Sequence, residues 1–170
     1  MPSPVKTDSV SETISTQAFL EAMRNVAASV TVVTTDGPAG RFGATVSSFT
    51  SVSVAPPTVL ACLARESRVA AALRINGRFA VNVLSTSMEA LAHRFAGRDD
   101  VTVADRFEGV DWHDGGQPVI AGATALVCRV ETVTAVATHD VCFGLVEAVH
   151  AGGHPPLAYL DRTFSRVEPL

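Results

Sequence analysis

Residues 124–136 alternate their two faces, with Leu126, Cys128 and Val130 on one side and Val127, Arg129 and Glu131 on the other. A period of two belongs to a strand. Other stretches read the same way. Residues 29–35 are rich in Val and Thr, which suits a strand. Residues 41–49, 58–64, 79–84, 141–150 and 157–166 read as further strands of the same sheet. Asp36-Gly37-Pro38 and Ala55-Pro56-Pro57 punctuate them.

Helical signals are fewer. Phe19, Met23 and Val26 share one face of a helix expected over residues 16–27, with Thr16 as its cap. Ser67 opens a second helix, carrying Val69, Ala70 and Leu73, and Asn76-Gly77 stops it. Thr86-Ser87-Met88-Glu89 has the form of a capping box and starts a short helix through Phe95. Residues 97–122, rich in Gly, Asp and Pro, read as a long loop. Strands and helices do not alternate regularly, which disfavours a doubly wound parallel sheet. The expected fold class is mainly β: an antiparallel, Greek-key-like β-barrel with a few flanking helices. Residues 1–15 are expected to be a disordered arm, and 16–170 a single domain.

The chain of 170 residues is 47% hydrophobic and 18% charged, enough apolar material for a sizeable core. Its net charge of −4 and the lack of a basic stripe argue against nucleic acid as a partner. The apolar run over residues 26–33 is broken by Ser29 and Thr31 and falls short of the ~20 residues of a membrane span. Met1 to Ser15 is polar and has no secretory apolar core. A cytoplasmic protein is expected.

Signatures of a catalytic dyad, a P-loop, a metalloprotease helix or a dinucleotide fingerprint are missing. The three cysteines, Cys62, Cys128 and Cys142, match no metal or redox spacing and read as core thiols. His150 and His154 are four apart, but Gly152, Gly153 and Pro155 forbid a helix there, so no metal site is expected. His113 lies between two aspartates and reads as solvated. His139 precedes a strand, where loops often present functional groups. Gly43-Ala44-Thr45-Val46-Ser47-Ser48-Phe49 places small residues and hydroxyls in succession. Such a segment lets a ligand approach the backbone, or is simply a polar edge strand.

Read in order, several segments carry a resemblance. They are Gly43 to Phe49 with Pro56-Pro57, then Gly77-Arg78-Phe79-Ala80-Val81-Asn82-Val83-Leu84, and then Arg94-Phe95-Ala96-Gly97. Gly116-Gln117-Pro118-Val119-Ile120, His139 with Phe143-Gly144, and Pro156-Leu157-Ala158-Tyr159 follow. Together the chain resembles the short-chain flavin reductases, the reductase components of two-component flavin monooxygenases, over about residues 16–167.

That resemblance implies a flavin-binding split barrel and a homodimer. It implies an NADH-dependent oxidoreductase that reduces FAD or FMN and supplies a partner monooxygenase with reduced flavin. Thr45, Val46, Ser47 and Ser48 would hold the flavin ring and ribityl chain. Cys62, Leu63 and Ala64 would line the ring edge, and Ser67 and Arg68 would meet the phosphate, as a helix N-terminus favours anions. Arg94, Phe95 and Gly97 would lie close to the cofactor. His139 and Arg162 would contact NADH. No catalytic side chain is implied, because hydride passes directly from nicotinamide to flavin. The chain departs from the family at Ala64, usually Asn, and at Ala137-Thr138-His139, usually Gly-Asp-His. A third departure is Leu160-Asp161-Arg162, usually His-Arg-Gly. Two alternatives remain open: a non-enzymatic flavin- or haem-binding split-barrel module, and an oxidase acting on a pyridoxamine phosphate. The scarcity of lysine, with Lys6 alone, weakens the latter.

Overall fold

A computed structural model describes residues 14–98, 100–102, 104–153 and 155–170. The elements, in order, are α1 (Thr16–Met23), β1 (Ala28–Ser29), β2 (Thr31–Thr35), β3 (Phe42–Val46), β4 (Phe49–Val54) and β5 (Pro57–Ala64). Then come α2 (Arg68–Asn76), β6 (Arg78–Val83), a 3-10 turn (Thr86–Met88), α3 (Glu89–Phe95), β7 (Trp112–Asp114) and β8 (Pro118–Ile120). The chain ends with β9 (Thr124–Val136), β10 (His139–His150), β11 (Leu157–Leu160) and β12 (Thr163–Arg166).

Seven strands form one antiparallel sheet in the order β3-β2-β6-β9-β10-β5-β4. Its two edge strands, β3 and β4, are joined by Ser47 and Ser48 alone. The sheet must therefore curl until its ends approach each other. No ladder joins β3 to β4, so the expected barrel is an open one. The mainly β class stands, with three short α-helices beside the sheet among the described residues.

Packing explains the helices. Val69, Ala70 and Leu73 of α2 pack against Leu63, Phe79, Val81, Cys128 and Cys142 on the sheet's inner face. Full burial of each large apolar side chain contributes roughly 1.5–3 kcal/mol. A second cluster gathers Phe95 of α3, Phe107, Ile120, Leu84 and Leu157. Ser67 caps α2 by accepting from the Ala70 amide at 3.2 Å, and Gly77 closes it at φ 70°. Burial of Cys128 and Cys142 raises their thiols to about 12 and about 11.

Five expectations need correction. Helix α1 ends at Met23 rather than residue 27, because the chain turns there to pair β1 with β11. Its cap is Ser15, not Thr16, through a 3.1 Å bond from the Ala18 amide. The capping box at 86–89 does not form. Thr86 N–H is taken by the Pro155 carbonyl and Ser85 bridges Pro156, so this segment enters α3 through a 3-10 turn. Residues 157–166 are a hairpin, not one strand, and with β1 they make a separate three-stranded sheet. The loop over 97–122 contains the β7–β8 hairpin. The arm expected over 1–15 lies outside the described residues apart from Ile14 and Ser15, and His154 also lies outside them.

The Asn82 side chain, fully buried, ties three strands together. Its amide nitrogen donates to the Val32 carbonyl at 3.1 Å and its oxygen accepts from the Ile120 amide at 2.8 Å. Asn82→Leu keeps the volume but leaves the buried Ile120 amide without its acceptor and strips the Val32 carbonyl of its side-chain donor. A loss of about 2–4 kcal/mol is expected, seen as a melting temperature lower by roughly 5–15 °C. An unchanged urea midpoint would contradict this role.

Candidate functional site

A cavity of about 570 Å³ opens where three segments meet: the start of β3, the N-terminus of α2, and the loop before β7. Arg41, Phe42, Gly43 and Ala44 form one wall, Ser67, Arg68 and Val69 a second, and Asp100 with Ala104–Phe107 the third. Alternation along β3 explains the first wall. Phe42, Ala44 and Val46 pack toward the main core, while Gly43 and Thr45 face α3. Gly43 allows this approach. A Cβ there would lie 2.7 Å from the ring of the buried Phe95.

Arg106 fixes the third wall. Its guanidinium donates to the carbonyls of Phe95 (2.9 Å) and Gly43 (3.1 Å), and grips both carboxylate oxygens of Asp100 at 2.9 and 2.7 Å. That hydrogen bonding holds Asp100 below the usual carboxylate range and raises Arg106. Gly97, at φ 84°, leaves room for the pair, since a Cβ would sit 2.7 Å from Arg106 Nη2. Arg41 lies over the Phe107 and Trp112 rings at 4.9 and 4.7 Å and pairs with Asp105 at 3.1 Å. Arg68 lies over Phe42 at 4.8 Å and forms no ion pair among the described residues. An unpaired guanidinium beside a helix N-terminus is suited to an anion.

The sequence-predicted residues fall into three groups. Ser67 and Arg68 line the cavity. Thr45, Arg94, Phe95 and Gly97 build its frame: Thr45 Oγ1 donates to the Ala92 carbonyl at 2.7 Å, Arg94 bonds the Glu108 carbonyl, and Phe95 packs edge-on to Phe107 at 5.0 Å. Val46, Ser47, Ser48, Cys62, Leu63, Ala64 and His139 gather at the adjoining sheet end. The Cys62 amide donates to the Ser48 carbonyl at 2.9 Å, and His139 sits directly opposite Ala64. Cys62, Ala64 and His139 share one face, whereas Leu63 points into the core. Burial raises the Cys62 thiol, which keeps it protonated and unreactive at neutral pH. Arg162 stands apart, in the exposed β11–β12 turn of the smaller sheet. Among the described residues no three His, Cys, Asp or Glu side chains gather as metal ligands.

Residues 23–168 match the family described as flavin reductase like domain. The chain belongs to that family. FMN reductase (NADH) RutF 2 of Methylorubrum extorquens strain PA1 is 45% identical over 162 residues, covering 93% of this chain and 92% of that protein. The 4-hydroxyphenylacetate 3-monooxygenase reductase component of Pseudomonas aeruginosa is 39% identical, covering 89% and 92%. The solved flavin reductase PheA2, in its native state, is 27% identical with a TM-score of 0.83, over 92% of this chain and 100% of that one. The Streptomyces globisporus NADH:FAD oxidoreductase SgcE6, in complex with NAD and FAD fragments, is 31% identical with a TM-score of 0.81, over 91% and 94%.

Sequence reasoning missed Arg41, Asp105, Arg106 and Phe107 of this flavin reductase-like domain. A signal was there: Phe107, with Trp112 one of two large aromatics in the polar stretch 97–122, needs burial, and it carries Arg106 inward with it. Gly43→Ala should push the Phe95 ring and strain the Arg106 bonds, costing about 1–3 kcal/mol. Thermal unfolding and the Phe95 ring resonances read this; a variant that matches the parent in both would mean the wall is looser than described.

Proposed function

We propose that the chain is an NADH-dependent flavin reductase, reducing FAD or FMN and releasing the reduced flavin to a partner monooxygenase. The observation that carries this is the placing of Ser67 and Arg68, which forms no ion pair among the described residues, at the head of α2, on a cavity walled by the small residues Gly43 and Ala44. An N-terminal turn and a free guanidinium suit the flavin phosphate. Relatives named as an FMN reductase (NADH) and as a monooxygenase reductase component support the reaction and the supply role. A bound flavin accepts hydride from nicotinamide without a protein acid or base.

The chain's part is then binding and orientation. Thr45, Arg94, Phe95 and Gly97 keep the cavity in shape. Val46, Ser47 and Ser48 offer backbone and hydroxyl groups to the ring and ribityl chain, and Cys62, Leu63 and Ala64 form its edge. His139 meets the nicotinamide nucleotide, and its Nδ1 is already engaged with Thr138 Oγ1 at 2.9 Å. Arg162 supplies a second, exposed contact to NADH. The open sheet corresponds on this reading to a split barrel spanning 16–170.

A homodimer belongs to the same reading. Helix α1 buries none of its residues, and Phe19, Leu20, Met23 and Val26 are all exposed, an apolar face that a second copy would cover. No helix among the described residues is long and apolar enough to cross a membrane. A cytoplasmic location suits an enzyme that draws on NADH.

NADH oxidation measured with and without FAD or FMN tests the reading. A flavin-dependent rate is expected; none above the uncatalysed rate would leave only the binding module. Ser67→Asp should keep the melting temperature, since Asp also caps helices, yet weaken flavin affinity at least about tenfold by repelling the phosphate. Wild-type affinity in titration would remove Ser67 from the site. His139→Ala should raise the NADH KM roughly five- to thirtyfold, equivalent to about 1–2 kcal/mol, with flavin affinity unchanged. A joint loss of stability and flavin binding would instead mark His139 as structural.

A further inference from the structure

Two residues, Ala137 and Thr138, make the whole β9–β10 turn, because Val136 and His139 are already paired. Ala137 sits at φ 47°, in the left-handed region. A residue with a Cβ is strained there, and such strain persists only where neighbours over-determine it.

Arg65 supplies those neighbours. It follows β5 and lies two residues before the Ser67 cap. Its backbone amide donates to the Thr138 carbonyl at 3.0 Å, and Nη1 donates to the Ala137 carbonyl at 3.3 Å. Its Nε lies 3.7 Å from Asp140 Oδ1. The Asp140 side chain is 1% exposed, its other oxygen is paired with Arg74 near the end of α2, and Oδ1 accepts no hydrogen bond. A buried carboxylate of this kind adds little stability over an apolar residue. Its effect here is geometric: Asp140 braces Arg65, and Arg65 grips both carbonyls of the turn that leads into His139.

We propose that Arg65 is a positioning residue for nicotinamide recognition, fixing the strained Ala137–Thr138 turn and so aiming His139. The proposal rests on the flavin reductase reading and on His139 as the nucleotide contact. On this proposal Arg65 acts through His139, by way of the turn, and not by its own contact with flavin or nicotinamide. The hydrogen bond between Thr138 Oγ1 and His139 Nδ1 carries the turn's geometry to the ring.

The experiment compares Arg65→Met, Arg65→Lys, His139→Ala and the double variant Arg65→Met/His139→Ala with the parent. Arg65 is half exposed, so each variant is expected to fold. Arg65→Met should raise the NADH KM roughly five- to tenfold with kcat and flavin affinity within about twofold, the loss being bounded by that of His139 itself. Arg65→Lys should behave like Arg65→Met, because a tetrahedral ammonium does not reproduce the planar fork that meets the Ala137 carbonyl while facing Asp140. The double variant should be no worse than His139→Ala alone, the non-additivity of residues acting through one contact.

Additive KM increases, or rescue by lysine, would mean that Arg65 meets the nucleotide directly and would overturn the proposal. So would loss of flavin affinity and stability together. Hydrogen exchange gives a readout independent of activity: amides 136–139 should exchange faster in Arg65→Met. If the parent shows no flavin-dependent NADH oxidation, the functional reading fails while this arm still decides whether Arg65 holds the turn; unchanged exchange overturns that too.

Discussion

Ser47 and Ser48 are the whole span between the two edges of the main sheet, and the site depends on that constraint. A flat sheet of seven strands cannot bring its first and last strands within two residues of each other; a strongly twisted, curled one can. Curling presses β3 between two cores. One face meets the main cluster through Phe42, Ala44 and Val46, the other meets α3 through Gly43 and Thr45. A strand wedged in this way has no space for large side chains on its α3 face, which is why Gly43 and Thr45 stand there. The smallness that suits ligand approach is thus first a packing requirement.

Electrostatics divides the site into two ends. At the cavity end Arg41, Arg68 and Arg106 outnumber Asp100 and Asp105, and Arg106 is spent on structure, holding two carbonyls and Asp100. Arg68 is left to meet an anion. At the other end Ser47, Ser48, Ala64 and His139 are exposed and carry no fixed charge cluster. Thiols there and below are protonated, raised by burial. On the proposed reading His139, at this end, contacts the nucleotide and moves no proton, since the flavin itself would take the hydride.

Local rules recovered the sequence's own punctuation and little beyond it. Helix α2 was legible from Ser67 and Gly77 because cap and stop act within one turn. Strand β9 was legible from alternation, and β10 was legible from residue 141 on, though not their pairing. The β11–β12 hairpin was not, because its turn is Asp161-Arg162 at φ 49° and 62°, and arginine gives no left-handed signal. A tertiary contact supplies what the sequence lacks: Arg24 holds Asp161 at 2.5 Å. The box at 86–89 failed for the same kind of reason, since Pro155 took its first amide. In the candidate site, Ser67 and Arg68 were found through the helix, whereas Arg106 acts across three segments and no local spacing announces it. Asn82 lay within a recognised segment, yet its buried cross-strand bonds appear only once β2, β6 and β8 are assembled.

The two ends of the site also bear on whether flavin is held or exchanged. A permanently bound cofactor is normally enclosed over most of its surface, roughly 70–90% for a pocketed ligand. Here one end is a walled cationic cavity of about 570 Å³ and the other an exposed strand end. On the proposed reading the phosphate is gripped and the ring is left accessible. Accessibility serves two purposes at once: nicotinamide must reach the ring, and the reduced flavin must be able to leave. A tighter enclosure of Ala64 and His139 would raise affinity by slowing dissociation, and would oppose the release on which a separate oxygenase depends. The small residue at Ala64 and the exposed turn at Ala137–Thr138 therefore fit a flavin treated as substrate better than one kept as a prosthetic group.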